Sequence, residues 1–196
     1  SGILRISKPG EPLRKHDHLI FSLSNGLQMR YHDPRRFGCA LWVDGDVSSH
    51  KLIQKLGPEP LGEEFTSEYF YQVSRGKNSA VKQWLMTNST VVGVGNIYAC
   101  EALKMAGIHP KRAAGKISKA RLTALHSNIR TVLQRSIDQG GTTLKDFLHS
   151  DGQPGYFKQQ LAVYDREGEP CHDCESLIKR IVLGQRSTFY CPKCQI

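Results

Sequence analysis

Two Cys-x-x-Cys knuckles near the end of the chain, Cys171/Cys174 and Cys191/Cys194, constrain it more than any other feature. Each knuckle sets two thiolates on one tight turn, and four thiolates at tetrahedral positions suit Zn²⁺, which takes soft, deprotonated ligands. Between the knuckles, 178–183 and 186–190 are apolar and β-branched enough for two strands, with Gly184-Gln185 as a two-residue turn of the Gly-x type. The spacing predicts a Cys₄ zinc-ribbon hairpin around one Zn²⁺. With all four ligand positions filled by protein the ion is structural, and binding it stabilises such a subdomain by roughly 10 kcal/mol apparent. Arg186 lies beside the exposed hairpin tip.

The distribution of charge says more than its sum of +9. From residue 69 to 137 the sole acid is Glu101, set against Arg75, Lys77, Lys82, Lys104 and seven further basic residues. A solvated helical face normally mixes signs, so this segment reads as a surface for a polyanion, nucleic acid first. An anionic membrane fits less well, because the basic residues are not confined to one amphipathic helix. No apolar run approaches the ~20 residues that span a bilayer, and the N-terminus lacks a signal-peptide plan. The expectation is a cytoplasmic protein, with Cys39 and Cys100 as reduced thiols.

The order of the elements predicts an α+β chain. Residues 3–6, 19–23, 27–31 and 37–43 read as strands of an antiparallel meander, with Asn25-Gly26 at the hairpin. Such a meander has unpaired edges that a complete domain would cover, so the chain is expected to begin inside a domain. The turn Asp33-Pro34-Arg35-Arg36-Phe37-Gly38 offers guanidiniums that can fork onto phosphate and a ring that can wedge into a base stack; a surface turn with a half-buried Phe accounts for it equally well. Residues 58–65, rich in Pro and Gly, read as a linker between a first unit, 1–57, and a helical one, 66–161.

In that helical part, 66–74 and 79–87 read as helices, the second capped by Ser79. A turn, Gly93-Val94-Gly95-Asn96, opens a third helix with Asn96 as its cap, where free N–H groups and the dipole invite a phosphate. A dinucleotide site is excluded, since the turn follows a helix and no acid lies about twenty residues on. Ser118 caps the clearest helix, with Leu122, Leu125, Ile129, Leu133 and Ile137 on one stripe. Residues 140–164 then read as a long functional loop. Asp146, His149 and Asp151 within it have no accompanying nucleophile or matching metal ligand, which argues against a catalytic cluster.

The Asp33–Gly38 turn, the Gly93–Ala99 turn, Gln139-Gly140-Gly141-Thr142-Thr143 and the Cys₄ ribbon occur in this order. Together they resemble the bacterial formamidopyrimidine-DNA glycosylases, which excise oxidised purines such as 8-oxoguanine. The resemblance covers essentially the whole chain. It implies a partial N-terminal β-sandwich (1–57), a helix–two-turn–helix module (66–161) with a lesion-recognition loop (142–160), and a zinc-finger hairpin (162–196). It implies a monomer on double-stranded DNA containing oxidised bases or abasic sites. Arg35 and Phe37 match side chains that fill the gap left by the everted nucleotide, a step that costs a few kcal/mol of unstacking. His16, Lys77, Asn96, Tyr164 and Arg186 match phosphate contacts, and Arg186 has a further part in strand-cleaving elimination. Lys82 and Arg180 are additional basic contacts. The loop favours the purine branch over the endonuclease VIII branch, which prefers oxidised pyrimidines.

One departure is large. The resemblance implies an N-terminal proline nucleophile that forms a Schiff base, then β,δ-elimination, aided by a glutamate and a lysine. Ser1 is not that proline, and the glutamate and lysine would lie upstream of it; these 196 residues are expected to be inactive by themselves. The competing expectations are a non-catalytic zinc-ribbon nucleic-acid-binding protein and an endonuclease VIII-like enzyme.

Overall fold

The computed structural model describes residues 2–140 and 161–196, and the chain divides into two units, 1–45 with 138–159 and 46–137 with 160–196. Among the described residues, three strands build the first: β1 (Ile3–Ser7), β2 (Asp17–Ser22) and β3 (Gln28–His32). Both pairings are antiparallel, but the order is β1-β3-β2, so the expected meander is corrected: the last strand is the central one. The β2–β3 turn closes through Gly26, whose φ of 80° suits a residue without Cβ, and the Asn25 Oδ1 accepts the Leu27 N–H at 3.1 Å. That hairpin takes one edge of β3. The buried Arg30 guanidinium then reaches the carbonyls of Glu11 (2.8 Å) and Pro12 (3.1 Å), folding the β1–β2 connection back so that β1 takes the other edge.

A bulge between Asp17 and Leu19 breaks the β2 register. Beside it the Asp17 carboxylate, with no exposed side-chain surface, binds Arg5 at 2.9 Å and His32 at 3.0 Å. Burial pushes its pKa up, but the Arg14 N–H, His32 and Arg5 outweigh that and hold it below the usual carboxylate value. The strand expected over 37–43 is absent. That segment finds no strand partner among the described residues, and Trp42 stays 90% exposed.

The second unit carries α1 (Ser67–Ser74), α2 (Val81–Leu85), α3 (Asn96–Met105), α4 (Lys119–Asp138) and the hairpin of β4 (Lys179–Leu183) and β5 (Arg186–Tyr190). Thr66 Oγ1 caps α1 by accepting the Tyr69 N–H at 3.0 Å, and Ser118 Oγ accepts from Arg121 at 3.4 Å before α4. Two expected caps are corrected. Helix α2 begins after Ala80 with no side-chain cap, and α3 begins after Gly95, because the Asn96 side chain is drawn to partners outside its own helix. Along α4 the stripe buries Leu122, Leu125, Ile129 and Leu133, joined by Val132, whereas Ile137 in the last turn is 60% exposed. Phe70 stacks on Trp84 at 4.7 Å and meets Phe65 edge-on at 5.2 Å, filling the centre of the helical layer. Among the described residues, no helix is long and apolar enough to cross a membrane.

The Pro/Gly stretch after residue 56 has no helix or strand, yet it is tightly held. Arg130 on α4 donates to the carbonyls of Pro60 (2.8 Å), Leu61 (3.2 Å) and Gly62 (3.0 Å), and the Gly57 N–H reaches the Asn88 carbonyl at 2.7 Å. Removing one guanidinium would leave three carbonyls without that donor. Arg130→Met is therefore expected to lower the unfolding free energy by about 2–3 kcal/mol in urea titration, the range of hydrogen bonds to a charged group; a change within about 0.5 kcal/mol would show that the stretch is held by packing alone.

Candidate nucleic-acid interface

The polar centre of the second unit is Lys82. Its position on α2 aims the side chain under the start of α3 and along β5, where it is 1% exposed. The ammonium donates to Asn96 Oδ1, to Thr188 Oγ1 at 2.6 Å and to the Ser187 carbonyl at 3.3 Å. All three acceptors are uncharged. Burial pushes the Lys82 pKa below the usual lysine value and the Arg186 charge pushes the same way, while the neighbouring Cys100 thiol pulls it back up without cancelling the shift. Asn96 spans the gap by donating from Nδ2 to the Ser187 carbonyl (2.9 Å) and to the Tyr164 hydroxyl (3.4 Å). Helix, ribbon and the chain before the ribbon thus meet on one amide.

Arg186 opens β5 directly after the hairpin turn, opposite Leu183, and is exposed. Gly184 and Gln185 both have positive φ, 55° and 61°, which makes the turn type I′ rather than the expected Gly-x form. A Cβ on Gly184 would stand 2.9 Å from the Gln83 amide nitrogen, so the tip lies against α2 beside Lys82. Four residues read from sequence as separate contacts, Lys82, Asn96, Tyr164 and Arg186, therefore form one cluster in which two cations share a patch at the uncapped start of α3.

Sequence reading missed how Tyr164 is held. Glu101, 5% exposed on α3, accepts the N–H groups of Ala162 (2.8 Å), Val163 (3.0 Å) and Tyr164 (2.8 Å). The Tyr164 ring then meets Phe189 edge-on at 5.0 Å. The signal was present in the sequence: Glu101 is the sole acid in a basic segment, and its carboxylate is spent on backbone rather than on neutralising lysines.

Two other predicted positions of this unit, Lys77 and Arg180, lie outside the cluster. Lys77 is exposed and lines a cavity of about 540 Å³ with Gln72, Arg75 and Trp84. Its carbonyl accepts the Gly115 N–H at 2.8 Å. Arg180, on the fourth pair of the ladder from the turn, faces Glu167 at 3.5 Å, both half-exposed. In the first unit, Asp33 pins the turn that presents Arg35 and Phe37. Its Oδ2 accepts the Gly38 N–H (2.9 Å) and the Tyr31 hydroxyl (3.0 Å), and a Cβ at Gly38 would collide with the Tyr31 oxygen at 1.8 Å. Phe37 is 82% exposed, with the Arg35 guanidinium 5.1 Å from its ring centre. His16 packs near His32, ring centres 5.8 Å apart, and its pKa is lowered by burial and by Lys15. The loop 142–160, with Asp146, His149 and Asp151, lies outside the described residues.

The four ribbon cysteines converge, each free of a disulfide, with all four sulfurs within 4.8 Å of one another. Sulfur pairs lie at 3.4 Å (Cys174–Cys191, Cys174–Cys194) and 3.9 Å (Cys171–Cys194), near the about 3.8 Å edge of a Zn–thiolate tetrahedron. The Ser176 N–H and hydroxyl lower the Cys174 pKa to about 6, while Cys194, hydrogen-bonded to Cys174 and partly desolvated, is raised to about 12. Four thiolates this close cannot all ionise without a cation between them, and a single Zn²⁺ supplies that charge.

Three family profiles match the chain: the formamidopyrimidine-DNA glycosylase N-terminal domain over residues 1–40, the formamidopyrimidine-DNA glycosylase H2TH domain over 56–148, and the zinc finger found in FPG and IleRS over 168–196. The formamidopyrimidine-DNA glycosylases of Methylococcus capsulatus and Alcanivorax borkumensis are 54% and 55% identical to it over 195 residues, covering all of this chain and 72% of each relative. Among solved structures, a Lactococcus lactis FPG variant in complex with Fapy-dG-containing DNA superposes with a TM-score of 0.89 at 33% identity, covering 99% of this chain and 71% of that one. MutM (FPG) of Thermus thermophilus superposes with a TM-score of 0.88 at 35% identity, covering 99% and 72%. With its cysteine centre and polar cluster in place, and relatives above half identity along its length, this chain belongs to the formamidopyrimidine-DNA glycosylase family.

Proposed function

We propose that this chain works in base-excision DNA repair, in a glycosylase that removes oxidised purines and then cleaves the strand at the abasic site by β,δ-elimination. The observation that carries the reading is Lys82, an ammonium buried against uncharged acceptors with Arg186 beside it. A buried cation without a counter-charge is costly, and a DNA phosphate at the start of α3 supplies that charge. The family membership and the Cys₄ centre support the same reading.

Within it each side chain has a physical task. Arg186 forks onto the phosphate beside the everted nucleotide. Phosphates are the departing groups in β,δ-elimination, so a guanidinium already in place stabilises the charge that develops there. Tyr164 accepts from Asn96 and keeps its own proton to donate. His16, set edge-on beside His32, approaches a phosphate through a ring N–H. Phe37, largely exposed beside Arg35, is the wedge that occupies the space vacated by the flipped nucleotide. Lys77 and Arg180 track the backbone farther out. The partner is double-stranded DNA carrying oxidised bases or abasic sites, bound by a monomer in the cytoplasm, at the nucleoid.

Zinc-loaded chain is expected to bind a duplex with a tetrahydrofuran abasic analogue more tightly than the undamaged duplex in fluorescence anisotropy. Equal affinities would favour a nucleic-acid binder without lesion specificity. Arg186→Ala is expected to weaken that binding and lower the slope of log K against log salt by about 1, the loss of one phosphate contact. An unchanged slope would remove Arg186 from the interface.

A further inference from the structure

We propose that Lys104 is the counter-ion of the zinc–tetrathiolate centre, offsetting its excess negative charge and fastening the ribbon to helix α3. Zn²⁺ with four thiolates carries a net charge of −2, and here one ligand of each knuckle is buried in an apolar cluster while the other, Cys174 or Cys194, is half-buried. Cys171 and Cys191 are 2% and 0% exposed, packed with Val163, Ile178 and Phe189. Removing such a charge from water is costly unless an opposite charge lies nearby. Lys104, in the last turn of α3, is the buried cation placed there. Its side chain is 6% exposed, and its ammonium donates to Asp173, which lies between Cys171 and Cys174 inside the first knuckle. It is also close enough for the charges of Cys171 and Cys194, one from each knuckle, to act on it.

The surroundings separate this role from an ordinary surface ion pair. Asp173 is 68% exposed, so water already solvates most of its charge and one Asp does not account for burying a lysine. Lys193 lies inside the second knuckle but is exposed, and water screens it. Hydrogen bonds tie the second knuckle to the chain just after α3. After α3 the chain accepts the Ile196 N–H at the Gly107 carbonyl (3.1 Å) and the Gln195 amide at the Ile108 carbonyl (2.9 Å), while Gln195 Oε1 takes the Cys191 N–H at 2.8 Å. The second knuckle is thus tied to the loop three to four residues beyond Lys104. Groups just outside a metal's ligand sphere commonly change its retention by about 10- to 100-fold.

The test is zinc transfer from the zinc-loaded chain to the chelator 4-(2-pyridylazo)resorcinol, followed by absorbance, with far-UV circular dichroism confirming the fold before chelator is added. Lys104→Met is expected to lose zinc at least about tenfold faster. Lys104→Gln, which keeps a hydrogen-bond donor for Asp173 but no charge, is expected to do the same. Lys104→Arg and the exposed Lys193→Met should stay within about threefold of the parent chain, as should Asp173→Asn, since the ammonium keeps its charge within reach of both knuckles. The proposal is overturned if Lys104→Gln holds zinc as the parent does. It is also overturned if Asp173→Asn releases zinc as fast as Lys104→Gln, which would make the pair a structural tie and not a countercharge. Should Lys104→Met fail to fold, the Gln and Asn variants decide the question by themselves.

Discussion

The structure depends on how one ten-residue helix meets the zinc ribbon. Along α3, Asn96 bonds β5 and Tyr164, Glu101 gathers three N–H groups ahead of the ribbon, and Lys104 reaches the first knuckle. Three polar side chains spaced along one helix fix a β-hairpin whose own apolar interior is small. Zinc stiffens the far end of that hairpin, while α2 meets its tip at Gly184. The result is a preorganised patch in which Lys82 and Arg186 hold their charges together before any ligand arrives. Without the scaffold the two cations would separate, since nothing between them is negative enough to keep them close.

That arrangement also explains an energetic oddity. Burying a lysine against neutral oxygens costs more than exposing it, and a protein selected for stability alone would replace it. In the proposed function, the buried ammonium costs stability in the free protein and regains it on phosphate binding, its desolvation being completed before the encounter. Asp17 in the first unit is the contrasting case. It is buried too, but the Arg5 guanidinium pairs with it and His32 hydrogen-bonds it, which is the signature of a structural ion pair.

Much of this was legible in the sequence because it rests on local rules. The Cys-x-x-Cys spacing marks the metal centre, the Asn25-Gly26 pair marks the hairpin, and the apolar period of 122–133 marks α4. What local rules could not reach was long-range. The β1-β3-β2 order depends on Arg30 pulling back a connection far away in sequence, and the absent strand at 37–43 depends on which partners exist for it. Asn96 looks like a cap because caps are chosen by neighbours, but Lys82 and Ser187, 14 and 91 residues away, claim its side chain. Lys82 itself was one basic residue among many until its burial set it apart.

The most direct test of the account is the affinity of zinc-loaded Lys82→Met for the abasic-analogue duplex, measured across a salt series. If the buried ammonium is the centre of the anion site, affinity should fall by at least about tenfold at low salt and the log–log slope should drop by about 1, with the fold retained by circular dichroism. A variant that binds with parental affinity and slope would contradict it, leaving Lys82 as a structural lysine and the phosphate site elsewhere.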